Sequence, residues 1–152
     1  MDGISLNLCN FTFTLLNEIE MKELAEGMKA PEFTGKDQRG KEISLRELQG
    51  RKVILYFYPK DDTPGCTAEA CNLRDNYSEL IEKGFEVVGI SADSEKSHQR
   101  FIDKYNLPFN LVSDTDRDVL KAYGAWVYGP VFLLTSLGAL QTARSELITC
   151  GS

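Results

Sequence analysis

Two spacings of apolar residues alternate along the chain. Val53–Tyr58 reads VILYFY, an unbroken apolar run that is typical of a strand buried on both faces of a sheet. The apolar residues that follow lie mostly three or four positions apart, which predicts one face of a helix ending at Gly84; they are Ala70, Leu73, Tyr77, Leu80 and Ile81. Phe85–Ser91 is a second strand-like run. This order predicts two parallel strands joined by a crossover helix.

The rest of the pattern continues the alternation. The further predicted elements are a hairpin with its turn at Gly40 and its second strand at Glu42–Leu45, a helix capped by Ser94, a strand at Phe109–Val112 and a helix from Asp116. The buried face of the Ser94 helix should carry Phe101, Ile102 and Tyr105. Strands and helices in such alternation predict an α/β fold in layers.

Length and composition favour one domain. The chain has 152 residues, of which 42% are hydrophobic, enough for a single sizeable core. We expect an N-terminal extension over residues 1–24 and a domain over residues 25–152. The apolar stretch in the extension is interrupted by Asn7 and Asn10, and it has neither a preceding basic residue nor a following cleavage site. Neither a signal peptide nor a membrane span is therefore expected.

Charge and cysteine content narrow the function classes. The formal net charge is -6, which disfavours binding to nucleic acids or anionic membranes. Four cysteines are too few for a disulfide scaffold, so a reducing, cytoplasmic setting is expected. With one histidine and no Cys-x-x-Cys pair, neither a metal site nor a metal cofactor is expected. His98 should border the packed face of its helix, and no role as a base is expected for it.

The candidate chemistry lies just after the central strand. Pro59 ends the strand, residues 60–62 are expected to form a solvated loop, and Thr63-Pro64 should begin a helix as its N-cap and first residue. Cys66 then falls in the first turn, where free N–H groups and the helix dipole favour an anion. We expect its pKa to lie below the free value of about 8.5, which makes it a nucleophilic thiolate. The alternative is that Cys66 is a small core residue.

These residues resemble a known family. PKDDTPGC at residues 59–66 is similar to the P-x-x-x-T/S-x-x-C signature of the peroxiredoxins, and Cys71, with Glu69 and Arg74-Asp75, resembles the bacterioferritin-comigratory or Q-type branch. The similarity runs from about residue 28 to about residue 126. It implies a thioredoxin-like fold, with a central mixed sheet and flanking helices.

The resemblance also implies roles for four residues. Cys66 would be the peroxidatic cysteine, Thr63 would orient the peroxide, Pro59 would shield the sulfur and Cys71 would be the resolving cysteine. It implies a thioredoxin-dependent peroxidase that reduces hydrogen peroxide and organic hydroperoxides, needs no cofactor, and is a monomer or weak homodimer. Positions five apart in an ideal helix are about 9 Å apart at Cα, whereas a disulfide needs about 4.4–6.8 Å. Bond formation between Cys66 and Cys71 therefore predicts local unwinding of the helix.

The chain departs from this family after Trp126. The family carries an arginine just before a strand that we place at Val131–Thr135, with Phe132 at the aromatic position, and here Gly129 stands in the arginine's place. The tail from Gly138 does not resemble the family's closing strand and helix. Loss of a preorganised donor predicts weak activity, unless Arg74 or Arg144 replaces it, and loss of the tail predicts reduced stability.

Two other functions stay open from the sequence. One is a redox-sensing or interaction module that keeps the cysteine pair but turns over poorly, favoured by the missing arginine. The other is a general disulfide oxidoreductase, which the lack of a Cys-x-x-Cys motif disfavours.

Overall fold

The computed structural model describes residues 24–25 and 27–125 in full and the backbone of two further strands, residues 131–134 and 140–142. The strands are β1 (Thr34–Asp37), β2 (Glu42–Ser44), β3 (Lys52–Phe57), β4 (Phe85–Ser91), β5 (Asn110–Ser113), β6 (Val131–Leu134) and β7 (Leu140–Thr142). The helices are α1 (Pro64–Asp75), α2 (Tyr77–Glu82), α3 (Glu95–Tyr105) and α4 (Asp118–Ala122). No helix in these ranges is both long and apolar enough to cross a bilayer.

All seven strands belong to one mixed sheet, in the order β2-β1-β5-β4-β3-β6-β7. Strands β3, β4 and β5 are mutually parallel, and every other neighbouring pair is antiparallel. The predicted crossover from β3 through a helix to β4 is confirmed, as is the α/β fold with a central mixed sheet and flanking helices. The carboxyl ends of the three parallel strands share one edge of the sheet, and the candidate loop leaves from that edge.

β3 is buried on both faces, as its unbroken apolar run predicts. Val53, Leu55 and Phe57 belong to one core cluster. The alternate residues Ile54 and Tyr56, together with Tyr58 just beyond the strand, belong to a second cluster on the other face, which also contains Cys66, Ala70, Leu73, Phe101 and Leu111. Helix α1 is therefore packed on the face of the sheet that carries Tyr56 and Tyr58.

The single helix predicted to run to Gly84 is interrupted at Asn76, so that prediction is wrong in its continuity. The Asn76 amide donates to the carbonyl and to the side-chain oxygen of Asn72 over 2.9 and 2.8 Å. Asparagine side chains compete with the backbone in this way and favour helix ends. Ile81, expected on the buried face, is 48% exposed.

Helix α3 follows the sequence pattern closely. The Ser94 hydroxyl accepts from the Ser97 N–H, which confirms the predicted cap, and Asn106 ends the helix in a left-handed conformation at φ 51°. β5 begins one residue later than predicted. Helix α4 begins at Asp118 rather than Asp116, because Arg117 is left-handed at φ 64° and the buried Asp114 carboxylate accepts from the first N–H groups of the helix.

The chain beyond Trp126 keeps more of the sheet than its sequence indicates. β6 is antiparallel to β3, with Phe132 opposite Leu55, in agreement with the predicted strand. The tail does not resemble the family's closing strand in sequence, yet it adds a strand to the sheet, because Leu140–Thr142 pairs with β6. Gly129, Arg144 and any closing helix lie outside the described residues, as does most of the extension, and the boundary at residue 24 stays a prediction.

Candidate active site

The loop from β3 to α1 begins where the central strand leaves the core. Tyr58 is buried, whereas Pro59 and Lys60 are exposed. Thr63 is extended at φ −85° and ψ 152°, and Pro64 is the first helical residue. The first helical bond runs from the Thr67 N–H to the Thr63 carbonyl over 2.8 Å. Cys66 is thus the third residue of α1, in the first turn as the sequence predicts.

Thr63 holds the N-cap position but does not cap with its side chain. Its hydroxyl donates to the Lys60 carbonyl over 3.1 Å, and it makes no capping bond. A capping hydroxyl would normally accept from an N–H group of the first turn. Because Thr63 does not, the N–H groups of the first turn of α1 are not capped by its side chain.

Cys66 is packed into the second core cluster and is only 6% exposed. The Tyr56 hydroxyl donates to the Cys66 backbone carbonyl over 3.3 Å. Burial raises the pKa of Tyr56 well above its ordinary value, so this hydroxyl keeps its proton and remains a donor. The burial of Cys66 agrees with the alternative of a small core residue, and its role as the peroxidatic cysteine stays a prediction.

Room for this contact depends on Gly89 of β4, which lies opposite Tyr56 in the sheet. A Cβ at Gly89 would lie 2.5 Å from a Leu111 methyl carbon and 3.1 Å from the Tyr56 ring. The Tyr56 ring also stacks on Tyr58, with ring centroids 4.8 Å apart. The absent side chain thus allows two aromatic rings to pack beneath the start of α1.

Cys71 lies on the same helix as Cys66, and both are free thiols. Cys71 is half-buried. Because the helix between them is intact, the two positions are too far apart for a disulfide. The helix would have to unwind before the bond could form. Glu69, between the two cysteines, is also half-buried, and burial raises the pKa of its carboxyl above the ordinary value.

Arg74 connects α1 to α3. Its Nη1 donates to the Tyr105 carbonyl over 2.8 Å, and its Nε and Nη2 donate to Asp75. The hydrogen bond to Asp75 raises the pKa of Arg74. These contacts lead to Asp75 and to α3, and replacement of the family's arginine by Arg74 stays a prediction.

The loop is not fully solvated, and this corrects the sequence interpretation. Lys60 and Asp62 are exposed, but Asp61, between them in the loop, is buried and only 7% exposed. The Tyr58 hydroxyl and His98 Nδ1 lie 2.6 and 2.9 Å from its carboxylate oxygens. His98, expected at the border of the packed face, is completely buried. Two features of the sequence could have indicated this pair. Asp61 follows soon after a strand buried on both faces, and the single histidine of the chain, His98, lies on a later helix.

Asp62 holds the outer side of the same loop. Its carboxylate accepts from Lys104 Nζ and from the Tyr105 hydroxyl, each over 2.7 Å. The residue is left-handed at φ 58°, a conformation that aspartate tolerates. Among the described residues, no group of three or more Asp, Glu, His or Cys side chains is arranged to hold a metal ion.

A thioredoxin-like sheet with a cysteine in the first turn of the helix after its central strand is an arrangement suited to thiol-based redox chemistry. The chain belongs to the AhpC/TSA family, whose sequence profile matches residues 27–144. This range extends past residue 126, where the resemblance in the motifs ends.

Relatives of the Q type support this membership. The chain is 58% identical over 101 residues to the peroxiredoxin bcp of Coxiella burnetii, covering 66% of this chain and 67% of that protein. It is 44% identical over 126 residues to the chloroplastic peroxiredoxin Q of Oryza sativa subsp. japonica, covering 83% of this chain and 56% of that one. The chain therefore spans only about half the length of the plant relatives that it matches.

Solved structures of two related proteins superpose on this chain. Peroxidoxin BcpB from Mycobacterium tuberculosis superposes with a TM-score of 0.73 at 28% identity, covering 79% of this chain and 84% of that one. Peroxiredoxin Q from Xanthomonas campestris superposes with a TM-score of 0.68 at 32% identity, covering 71% and 76%. The resemblance to the bacterioferritin-comigratory or Q-type peroxiredoxins is confirmed.

Proposed function

We propose that this protein is a thiol-dependent peroxidase that reduces hydrogen peroxide and organic hydroperoxides. The observation that carries the proposal is the position of Cys66, third in α1 directly after the central strand, with Cys71 on the same helix. Membership of the AhpC/TSA family and the Q-type relatives support the same activity.

In the first step, the Cys66 thiolate attacks one peroxide oxygen. The S–O bond forms as the O–O bond breaks, which leaves a sulfenic acid and releases water or an alcohol once the leaving oxygen takes a proton. The Thr63 hydroxyl donates its own proton to the Lys60 carbonyl, so its oxygen can accept a hydrogen bond from the peroxide O–H. Pro59, at the other end of the loop, is proposed to shield the sulfur.

In the second step, the Cys71 thiol condenses with the sulfenic acid, forming a disulfide and water. The first turns of α1 unwind for this step because the intact helix holds the two positions too far apart. A thioredoxin-like dithiol then reduces the disulfide through a mixed disulfide and is itself oxidised. No organic or metal cofactor takes part in these steps.

The setting of the reaction is proposed on chemical grounds. A recyclable disulfide needs a reducing compartment, for which we propose the cytoplasm, with the protein acting as a monomer or weak homodimer. The net charge of -6 supports the absence of nucleic-acid or membrane partners.

The test is peroxide-dependent NADPH oxidation in the presence of thioredoxin and thioredoxin reductase. Wild type should turn over, Cys66→Ser should not, and Cys71→Ser should stop after one oxidation. Cys150→Ser is the matched control, since it removes a thiol from the tail and should turn over like wild type. Stoichiometric oxidation of wild-type Cys66 without turnover would instead establish the redox-sensing module that the predicted loss of the arginine favours.

A further inference from the structure

A buried polar group beneath the β3–α1 loop takes no part in the proposed chemistry. His98 on α3 is completely buried, and its Nδ1 lies 2.9 Å from Oδ2 of Asp61. Its Nε2 lies 3.2 Å from the Val112 carbonyl oxygen. The Tyr58 hydroxyl donates to the other oxygen of Asp61 over 2.6 Å.

The contacts of His98 indicate its charge. Nδ1 lies closest to the Asp61 carboxylate, and the Tyr58 hydroxyl, 3.3 Å from the same nitrogen, donates to Asp61 over the shorter distance of 2.6 Å. Nε2 lies against the Val112 carbonyl, so both nitrogens face an acceptor, and a neutral imidazole has only one N–H to donate. The neutral ring would therefore set a nitrogen lone pair against an oxygen, whereas the doubly protonated ring donates at both nitrogens. Burial alone would raise the pKa of Asp61, but hydrogen bonds from His98 and Tyr58 outweigh burial and hold it below the ordinary value. An ionised Asp61 is the partner that a buried imidazolium requires.

The position of this pair connects it to the active site. Asp61 lies midway along the loop, two residues from Pro59 and two from Thr63. Its backbone N–H donates to Asp93 over 2.8 Å, which fixes the main chain as well as the side chain. The next residue, Asp62, is held from outside by Tyr105, which lies seven residues after His98 and therefore on the same face of α3. One helix face thus holds two consecutive residues of the loop.

We propose that His98 is a positioning residue: as a buried imidazolium paired with Asp61, it fixes the loop whose ends present Pro59 and Thr63 to the Cys66 sulfur. The inference rests on the proposed peroxidase function and adds a residue that acts through Asp61 rather than on the peroxide. His98 takes no proton in the reaction.

The charge state can be measured without a variant. The chain has a single histidine, so long-range ¹H–¹⁵N correlation spectra contain one imidazole pair. The proposal predicts that both ring nitrogens of His98 give the chemical shift of a protonated nitrogen at neutral pH. One protonated and one unprotonated ring nitrogen would overturn it, whether or not the protein reduces peroxide.

The positioning role is tested by two reagents at the same sulfur. In a Cys71→Ser background, peptide-resolved mass spectrometry gives the rate constants of Cys66 with hydrogen peroxide and with iodoacetamide, which does not need an oriented O–H group. His98→Gln should lower the ratio of the peroxide rate to the iodoacetamide rate by about tenfold to a hundredfold, because small misplacements have effects of that size. A purely structural role would change both rates together, and an unchanged ratio would overturn the proposal.

Two further variants complete the test. Lys104→Gln removes an exposed contact to the same loop and should change the ratio by about twofold at most, since exposed ion pairs contribute little. Asp61→Asn keeps the side-chain shape without its charge and replaces His98→Gln if that variant does not fold. If wild-type Cys66 reacts with peroxide but the variants leave the ratio of the two rates unchanged, only this inference is refuted. If wild-type Cys66 does not react with peroxide, the proposed function is refuted.

Discussion

The Tyr56 hydroxyl donates a hydrogen bond to the backbone carbonyl of Cys66 and so ties the central strand to the first turn of α1. If disulfide formation requires this turn to unwind, the bond opposes it. Tyr56→Phe keeps the ring but removes a bond worth about 1 kcal/mol, which should favour unwinding about fivefold. We expect faster formation of the disulfide after a peroxide pulse, measured by rapid acid quench and mass spectrometry.

Tyr77→Phe is the matched control for that experiment. It removes a hydroxyl from α2, beyond the segment that unwinds, and should leave the rate of disulfide formation unchanged. Equal rates in wild type and Tyr56→Phe would show that the bond does not restrain the helix.

Oxidation should change the helix content of the chain. Because Cys66 and Cys71 share an intact helix when reduced, the disulfide form should lose helical signal in far-ultraviolet circular dichroism. Amide hydrogen exchange should show that lost protection is confined to the first turns of α1. The Cys66→Ser variant, which cannot form the bond, should show neither change under oxidant. Identical spectra of reduced and oxidised wild type would rule out the unwinding step.

Glu69 should destabilise the fold at neutral pH. Burial raises the pKa of its carboxyl, so the folded state binds this proton more tightly than the unfolded state does. Stability is therefore lost as pH rises from the ordinary value of about 4.3 through the raised one. Glu69→Gln should raise the midpoint of chemical denaturation at pH 7, and this gain should disappear below about pH 4.

Glu79→Gln should have the opposite effect on stability at pH 7. A hydrogen bond from Lys83 lowers the pKa of Glu79, so its ionised form stabilises the fold above its ordinary pKa and the contribution is lost as pH falls. Its substitution should therefore lower the denaturation midpoint slightly at pH 7. If Glu69→Gln also lost stability at pH 7, burial of the ionised Glu69 carboxyl would not be destabilising.

Gly89 should tolerate no side chain. Gly89→Ala would press a methyl group against Leu111 and Tyr56, and such overpacking typically costs about 1–3 kcal/mol of unfolding free energy. Gly65→Ala, in the first turn of α1 with open space around the added carbon, should be neutral or stabilising by about 0.5–1 kcal/mol. Denaturant titration gives the free energy of unfolding of both variants and of wild type. If Gly89→Ala were as stable as Gly65→Ala, the sheet would have relaxed around the new methyl group.

The sequence indicated correctly those features that depend on residues close together in the chain. The run VILYFY predicted a strand buried on both faces, and Thr63-Pro64 predicted the start of the helix that places Cys66 in its first turn. Ser94 likewise marked the start of α3. Caps, helix dipoles and hydrophobic spacing act over one or two turns, so their effects are visible in the sequence alone.

Side chains that compete locally with the backbone were harder to interpret. The spacing of apolar residues continued past Asn76, so one helix was predicted, yet the structure has two helices that meet at Asn76, whose side-chain amide bonds to Asn72. The Thr63 hydroxyl similarly bonds to Lys60 instead of capping α1. The same side chains are compatible with either arrangement, and packing of α1 on the sheet selects between them.

Sequence by itself therefore determined the central strand, the crossover and a cysteine at the start of a helix, because each is specified by neighbouring residues. Only the tertiary structure decided the environment of that cysteine. Asp61 and His98 are 37 residues apart and meet because β4 and α3 pack beside the loop, and Tyr56 reaches Cys66 because Gly89 leaves room on the adjacent strand. Burial then makes these contacts strong and specific, since a polar group removed from water must find a partner in the fold.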